Sequence, residues 1–239
     1  MDLRPWAYRP HNGKRAVFVL NIGPFWPQLT AITFPNLRSY ADKIKAEFIE
    51  IRERQFPDFP VTYEKLQIHT LGMGNEWNIL IDADCMLHPL MPDMTKLLPP
   101  DTVGVDYGYN IYNGIRDRNS PIETWLDGRD KYFLRHGSSL GVAMALAVTN
   151  DLTHDFWTPL EFGWEEAQKH VSRKHIVDEY CCSRNLARFG LKYRQILDRE
   201  QSVRDEYIVH LGVEGKGEND RQAVLDRAKT LAQSWGMLD

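Results

Sequence analysis

The segment Trp77-Asn78-Ile79-Leu80-Ile81-Asp82-Ala83-Asp84 joins a short, mostly apolar run to two acidic residues. Such a run is typical of a strand buried on both faces of a sheet. Side chains alternate along extended backbone, so Asp82 and Asp84 are expected to point to the same side. They follow the strand at its carboxyl end, where open α/β folds bind ligands. Because the carboxylates repel each other, the pair predicts a hard divalent cation that itself holds phosphate oxygens.

Alternating strands and helices are predicted around this segment. Ala16–Leu20 and Glu47–Ile51 read as strands, a helix is predicted after Pro35, and a second helix runs from Thr62 to about Leu71. The order β-α-β-α-β with short connections predicts an α/β fold whose mostly parallel central sheet is flanked by helices.

The second half of the chain is predicted to be less regular. A long surface loop is expected from Tyr107 to Asp130, and Asp220 is expected to cap a terminal helix. The other predicted elements are the strands Thr102–Val105, Leu140–Val148, Leu191–Leu197 and Tyr207–His210 and a helix Lys174–Phe189 closed by Gly190. No internal repeat or linker interrupts the order, so residues 1–239 are expected to form a single domain.

Bulk properties exclude several classes of protein. The chain of 239 residues is 43% apolar and 26% charged, which is ordinary for a globular protein. Its net charge of −4 and isoelectric point near 6.1 argue against a nucleic-acid-binding protein, because such proteins are usually basic. No apolar run reaches the ~20 residues of a membrane span, so none is expected. The three cysteines form no disulfide framework, which favours a cytoplasmic location.

Two separate parts of the chain resemble the GT-A-fold nucleotide-sugar glycosyltransferases, and within that class the glycogenin-like, family 8 type enzymes. Tyr63-Glu64-Lys65-Leu66 followed by Trp77–Asp84 is similar to the family's basic residue on a helix before a strand that ends in Asp-x-Asp, the DXD motif. His210, followed by Gly212 and by Lys216, is similar to the family's metal-binding histidine, its glycine-containing loop and a lysine six residues on.

The resemblance implies a metal-dependent glycosyltransferase. Such an enzyme would move a sugar from a nucleoside-diphosphate sugar, in this family a UDP-sugar, to a hydroxyl of a carbohydrate or other acceptor. The implied cofactor is Mn²⁺ (or Mg²⁺). Its implied ligands are Asp84, His210 and, directly or through water, Asp82. The residues implied to contact the donor are Asn21, Ile22, Gly23, Lys65, Asp82, Ala83 and Lys216.

Asp178 and Glu179 form a second acidic pair, in the first turns of a predicted helix. Acidic side chains there also interact favourably with the helix dipole. In the GT-A class an acidic pair at this stage of the chain approaches the acceptor or the donor sugar, and in inverting enzymes one carboxylate acts as general base. We therefore expect at least one of the two to contribute a catalytic side chain.

Two alternative functions use the same observations. A sugar nucleotidyltransferase also combines a parallel sheet with metal-bound phosphates, but it would carry a glycine-rich basic loop after the first strand, and Asn21–Phe25 contains no basic residue. A catalytically degenerate GT-A-like protein could bind carbohydrate through aromatic side chains such as Tyr107 and Trp125. The donor sugar, the acceptor, the stereochemistry and the oligomeric state are not encoded in any recognisable pattern.

Overall fold

A six-stranded sheet forms the centre of the protein, in the order β2-β1-β3-β6-β5-β7, and β4 and β8 form a separate two-stranded ribbon. The computed structural model describes residues 11–23, 25–110, 140–171, 174–196, 207–212 and 218–237. The strands are β1 (Arg15–Leu20), β2 (Glu47–Ile51), β3 (Trp77–Ile81), β4 (Cys85–Leu87), β5 (Thr102–Asn110), β6 (Leu140–Asn150), β7 (Lys192–Gln195) and β8 (Ile208–His210).

The sheet is mostly parallel, as predicted. Strand β1 pairs in parallel with β2 and β3, and β5 pairs in parallel with β7. Within this sheet β6 is the strand that runs the other way, between β3 and β5. The carboxyl ends of β1, β2 and β3 therefore lie at one edge, which brings the segments after Leu20, Ile51 and Ile81 together.

Helices cover both faces of the sheet, which confirms the predicted α/β class. The α-helices are α1 (Pro27–Lys43), α2 (Ile68–Leu71), α3 (Trp164–Ala167), α4 (Val177–Phe189) and α5 (Glu218–Ser234). Short 3₁₀ helices span Val61–Gln67, Met94–Leu97, His154–Trp157 and Lys174–Ile176. None of the helices in the described ranges is long and apolar enough to cross a membrane.

The apolar strands are buried on both faces because their alternate side chains enter two different cores. Val17 and Val19 of β1 pack with α1 residues such as Leu37, whereas Ala16 and Phe18 face the opposite side. There they pack with α4 residues, among them Val177, Cys181 and Leu186. This arrangement explains the uninterrupted apolar run in the sequence.

Two elements in the first half differ from the predictions. Helix α1 begins at Pro27, and Pro35 lies inside it rather than before it. The buried side chains of Leu29 and Phe34 extend the packed face over the first half of the helix, which offsets the backbone hydrogen bond that Pro35 cannot donate. The predicted helix from Thr62 is a 3₁₀ helix as far as Gln67.

Two further predictions in the second half are revised. Asp220 lies inside α5 rather than at its cap. Tyr107 to Asn110 belong to β5 rather than to a loop, and residues 111–130 of the predicted loop lie outside the described residues. Helix α4 ends at Phe189 as predicted, where Gly190 adopts a left-handed φ of 61°.

The ribbon of β4 and β8 brings the end of the chain back to the end of β3. Its register places Cys85 opposite His210, Met86 opposite Val209 and Leu87 opposite Ile208. A small core contains Met86 and Val209 and packs the ribbon against α5 and the start of α1. His210 therefore lies beside the residues that directly follow β3.

Candidate active site

Three hydrogen bonds to its main chain hold the Asp82–Asp84 segment in place. The Asp82 amide donates to the Ala145 carbonyl of β6 at 2.9 Å, and the Cys85 amide closes a turn onto the Asp82 carbonyl at 3.0 Å. From α1, the Thr33 hydroxyl donates to the Ala83 carbonyl at 2.7 Å. The two carboxylates consequently project from a rigid turn at the carboxyl edge of the sheet.

Lys65 joins the two acidic pairs predicted from the sequence. Its Nζ lies 2.8 Å from Oδ1 of Asp82 and 3.0 Å from Oδ2 of Asp178, and it donates to the Met144 carbonyl at 3.0 Å. The side chain of Lys65 is 7% exposed and that of Asp178 is 2% exposed, whereas Asp82 keeps 21% of its side chain in solvent. Lys65 is thus a buried cation that spans β3, β6 and α4.

The protonation of this cluster is governed by burial and by mutual attraction. Burial alone would lower the pKa of Lys65, but the carboxylates of Asp178 and Asp82 hold it above its ordinary value. Burial raises the pKa of Asp178, an effect that the Lys65 ammonium opposes. Among the described residues no hydrogen-bond partner reaches Oδ1 of Asp178.

Glu179 lies next to this cluster and is half-buried. Burial and the neighbouring Asp178 carboxylate raise its pKa to about 8, while Lys65 and a backbone hydrogen bond from Met144 act in the opposite direction. The raised pKa favours the protonated Glu179 carboxyl, which is the form that can donate to a ligand oxygen.

Asp84 and His210 meet at the ribbon, as part of a cluster of possible metal ligands. Oδ2 of Asp84 lies 3.3 Å from Nε2 of His210. Ligand atoms of Asp84, His210 and Cys85 all lie within 4.8 Å of one another. Asp82 is not a member of this group, and its Oδ1 lies 2.8 Å from Nζ of Lys65.

The donor set of this cluster fits a divalent cation. A carboxylate oxygen and an imidazole nitrogen are common ligands of Mn²⁺-type ions. Octahedral ligands about 2.1 Å from an ion lie roughly 3 Å apart in neighbouring positions, close to the 3.3 Å between Oδ2 of Asp84 and Nε2 of His210. The two residues can therefore bind one ion together.

Asn21, Ile22 and Gly23 follow β1 at the same edge of the sheet. The Asn21 amide donates to the Ile51 carbonyl at 2.9 Å, and its side chain donates to Glu50 at 3.0 Å. Although burial raises the pKa of Glu50, hydrogen bonds from Asn21 and Arg52 outweigh it and lower the value. Gly23 has a φ of 63°, which suits a tight turn.

The structure thus brings most of the predicted residues to one edge of the sheet, in two groups. Lys65, Asp82 and Asp178 form the buried ion pairs, and Asp84 meets His210 at the ribbon. Lys216, predicted to contact the donor, lies outside the described residues.

Sequence reasoning missed two participants of this site. The three cysteines show neither a disulfide framework nor a metal-ligand spacing in the sequence, although the position of Cys85 directly after Asp84 is a usable signal. The Met144 backbone, which contacts Lys65 and Glu179, has no signature in the sequence because every residue except proline supplies the same carbonyl and amide.

Comparisons with known proteins connect this architecture to glycosyltransferases. A glycosyltransferase involved in the glycosylation of the major capsid of PBCV-1 superposes with a TM-score of 0.52 at 12% identity, covering 90% of this chain and 99% of that chain. The galactosyltransferase LgtC, in complex with donor and acceptor sugar analogues, gives 0.49 at 10% identity over 92% and 95%. No protein-family model and no curated protein sequence matches the chain. The protein therefore has the α/β fold of GT-A-type glycosyltransferases.

Proposed function

We propose that the protein is a metal-dependent glycosyltransferase, formed by residues 1–239 as one catalytic domain. It transfers a sugar from a nucleoside-diphosphate sugar, with UDP as the expected nucleotide, to a hydroxyl of a carbohydrate or other acceptor. The observation that carries the proposal is the approach of Asp84 to His210, 3.3 Å apart, at the carboxyl edge of a GT-A-type sheet. The resemblance to glycogenin-like enzymes, the expected UDP donor and the cytoplasmic location stay predictions from the sequence.

Asp84 and His210 are the residues that would hold Mn²⁺ or Mg²⁺. When bound, the ion supplies a Lewis acid for the diphosphate oxygens, which stabilises the charge of the departing nucleoside diphosphate. The side chain of Asp84 is 9% exposed and that of His210 is 33% exposed, so the pair opens to solvent on the His210 side. A diphosphate would enter from that side, where Lys216 is expected to contribute a further positive charge.

The second acidic pair is assigned two different tasks. Asp178 is buried against the Lys65 ammonium, so it positions Lys65, which in turn fixes the orientation of the Asp82 carboxylate. Glu179 keeps part of its surface in solvent. Because its raised pKa keeps it protonated near pH 7, Glu179 can donate a hydrogen bond to a sugar hydroxyl.

The nucleoside is expected to occupy the neighbouring end of β1. Asn21, Ile22 and Gly23 form the turn there, and β1 lies directly beside β3 in the sheet. The Glu50 carboxylate orients the Asn21 amide, whose second hydrogen and carbonyl oxygen are available polar groups of the type that recognises a pyrimidine edge.

Calorimetric binding of UDP and a panel of UDP-sugars, with Mn²⁺ and with chelator, tests this proposal. Wild-type protein should bind UDP only when the metal is present. Asp84→Asn should lose this metal-dependent binding of UDP. Asp101→Asn is the matched control, because Asp101 lies at the opposite edge of the sheet in an exposed ion pair with Lys192. Release of UDP in the presence of candidate acceptors then measures transfer.

Two additions to the panel separate the alternatives: a nucleoside triphosphate together with a sugar phosphate, and carbohydrates without any nucleotide. Binding of a nucleoside triphosphate together with a sugar phosphate, without binding of UDP, would identify a nucleotidyltransferase instead. Binding of carbohydrate without any nucleotide would identify a degenerate binding protein. Absence of binding to every nucleotide, with or without metal, would refute the proposed function.

A further inference from the structure

Cys85 occupies a special position in the ribbon. It directly follows Asp84 in the chain, and the β4–β8 register places it opposite His210. Residues that face each other in an antiparallel pair project from the same side of the ribbon. The Cys85 sulfur therefore shares one small volume with Asp84 and His210, in which the ligand atoms lie within 4.8 Å of one another.

The spacing of these three atoms suits a tetrahedral metal ion as well as an octahedral one. With bonds of about 2.0–2.1 Å to oxygen and nitrogen, tetrahedral ligands lie roughly 3.3 Å apart, and Oδ2 of Asp84 lies 3.3 Å from Nε2 of His210. With a bond of about 2.3 Å to sulfur, the sulfur-to-nitrogen separation is roughly 3.6 Å. The Cys85 sulfur lies at most 4.8 Å from either atom, which is no more than about 1.2 Å beyond that separation.

The burial of the three side chains determines the order in which an entering cation would reach them. Cys85 is 1% exposed and forms the floor of the cluster, while Asp84 is 6% exposed and His210 is the most accessible of the three. The Cys85 thiol lies 3.9 Å from the Ala145 carbonyl, which is a weak hydrogen bond at most. A cation entering beside His210 would therefore meet the carboxylate and the imidazole first and the sulfur last.

We propose that Cys85 is a third protein ligand of the cation held by Asp84 and His210, and that this thiolate makes the site selective for thiophilic divalent cations such as Zn²⁺, Co²⁺ and Cd²⁺. On binding, the thiol releases its proton to the buffer and the sulfur lone pair bonds to the metal. Mn²⁺ and Mg²⁺ are harder ions that favour oxygen ligands, so they would bind at Asp84 and His210 without the sulfur. Three protein ligands leave one position of a tetrahedral ion for a phosphate oxygen. This inference rests on the proposed function in one respect, because both assign Asp84 and His210 as ligands of the same ion.

Cobalt spectroscopy tests for the metal–sulfur bond without any measurement of activity. Co²⁺ titrated into the wild-type protein should give a sulfur-to-cobalt charge-transfer band in the near ultraviolet. The double variant Cys181→Ser/Cys182→Ser leaves Cys85 as the sole thiol among the three cysteines of the chain, and it should keep the band. Cys85→Ser should lose the band, and so should His210→Gln.

Metal competition then measures selectivity. Sites with nitrogen and oxygen ligands generally bind Zn²⁺ more tightly than Mn²⁺, so a preference for Zn²⁺ alone does not indicate a sulfur ligand. The quantity to measure is therefore the ratio of the Cd²⁺ affinity to the Mn²⁺ affinity, compared between the wild type and Cys85→Ser. Loss of a direct ligand should lower the affinity for Cd²⁺ by at least about 10–100-fold, because mutation of outer-shell partners already has an effect of that size. The affinity for Mn²⁺ should stay nearly unchanged. Cys181→Ser is the matched control, because it removes a buried thiol that contacts the Thr158 carbonyl instead.

Each outcome decides the inference. Cobalt d–d bands without the charge-transfer band, or an unchanged Cd²⁺-to-Mn²⁺ ratio in Cys85→Ser, would overturn it. If Cys85→Ser fails to fold, the band in the double variant, whose single thiol is Cys85, gives the same decision. Metal-dependent binding of UDP is a separate measurement, so the proposed function and this inference can fail independently.

Discussion

Replacing Lys65 by Met should destabilise the protein more than any exposed lysine replacement. The substitution keeps the length of the side chain but removes the ammonium that lies 2.8 Å from Asp82 and 3.0 Å from Asp178. The two carboxylates then face each other without their cation. Asp178 cannot return to water, because its side chain is 2% exposed.

The magnitude follows from these distances. With an effective dielectric constant of about 20, each pair has a gross attraction of roughly 5–6 kcal/mol. Removing the lysine also removes the cost of burying its charge, which is several kcal/mol. Loss of one partner of a buried pair therefore costs about 3–5 kcal/mol net, a large part of the stability of an ordinary domain.

The pH dependence of this loss has a definite sign. In Lys65→Met, burial raises the pKa of Asp178 with less opposition than in the wild type. A carboxyl whose folded pKa exceeds its unfolded value of about 3.9 destabilises the folded state once the unfolded form ionises. The deficit relative to the wild type should consequently be larger at pH 8 than at pH 5.

Urea unfolding followed by far-ultraviolet circular dichroism at pH 5 and pH 8 measures the deficit. Lys169→Met is the matched control, because Lys169 is exposed and its ion pair in the described part of the chain is with the nearby Glu166. Lys65→Met/Asp178→Asn should recover most of the lost stability, since a neutral replacement leaves no unpaired charge. A single variant as stable as the control, or a double variant no better than the single, would refute the reasoning.

Three further predictions concern local structure. Gly190→Ala should lower the free energy of unfolding by about 1–2 kcal/mol, because φ is 61° at this position. Gly72→Ala should cost about 1–3 kcal/mol, because the new methyl group would collide with the buried Asn78 amide. A hydrogen bond from Arg184 lowers the pKa of Glu161 to about 2, so the stability that Glu161 contributes over Glu161→Gln should be present at pH 7 and disappear as the pH falls from about 4.5 to about 2.

Denaturant titrations check the two glycine variants, and a pH series of the same titration checks Glu161→Gln. Gly163→Ala is the control for both glycines, since Gly163 has a φ of −80° and, apart from its chain neighbours, no atom of the described residues lies within 4 Å of an added Cβ. Glu165→Gln is the control for the acid titration. A glycine variant as stable as Gly163→Ala, or a Glu161→Gln curve parallel to the wild type below pH 4.5, would contradict the respective prediction.

The central strands could be predicted because burial on both faces leaves an uninterrupted apolar run. Strand β3 has the bounds that the sequence indicated, Trp77–Ile81, and β1 and β2 differ by a residue at most. The start of α1 could not be predicted, because Pro27 and Pro35 both suit the first turn of a helix. The packing of Leu29 decides between them, and that contact exists only in the folded chain.

The site was predictable residue by residue but not as a set of contacts. Lys65, Asp82 and Asp178 each stood out in the sequence, yet their ion pairs depend on the 3₁₀ geometry of Val61–Gln67 and on the position of α4. Strands β4 and β8 contain three residues each, too few for a periodic pattern. For this reason the pairing of Cys85 with His210 could not be read from the sequence.

The backbone contacts of Met144 affect what a mutational scan can detect. Its carbonyl accepts from Lys65 and its backbone also hydrogen-bonds to Glu179, so part of the site is built from main-chain atoms of β6. Every amino acid except proline supplies both groups. A mutational scan would therefore score position 144 for the fit of its side chain in the core and would be blind to its role beside the charged cluster. Amide-to-ester replacement by protein semisynthesis would be needed to make that role visible.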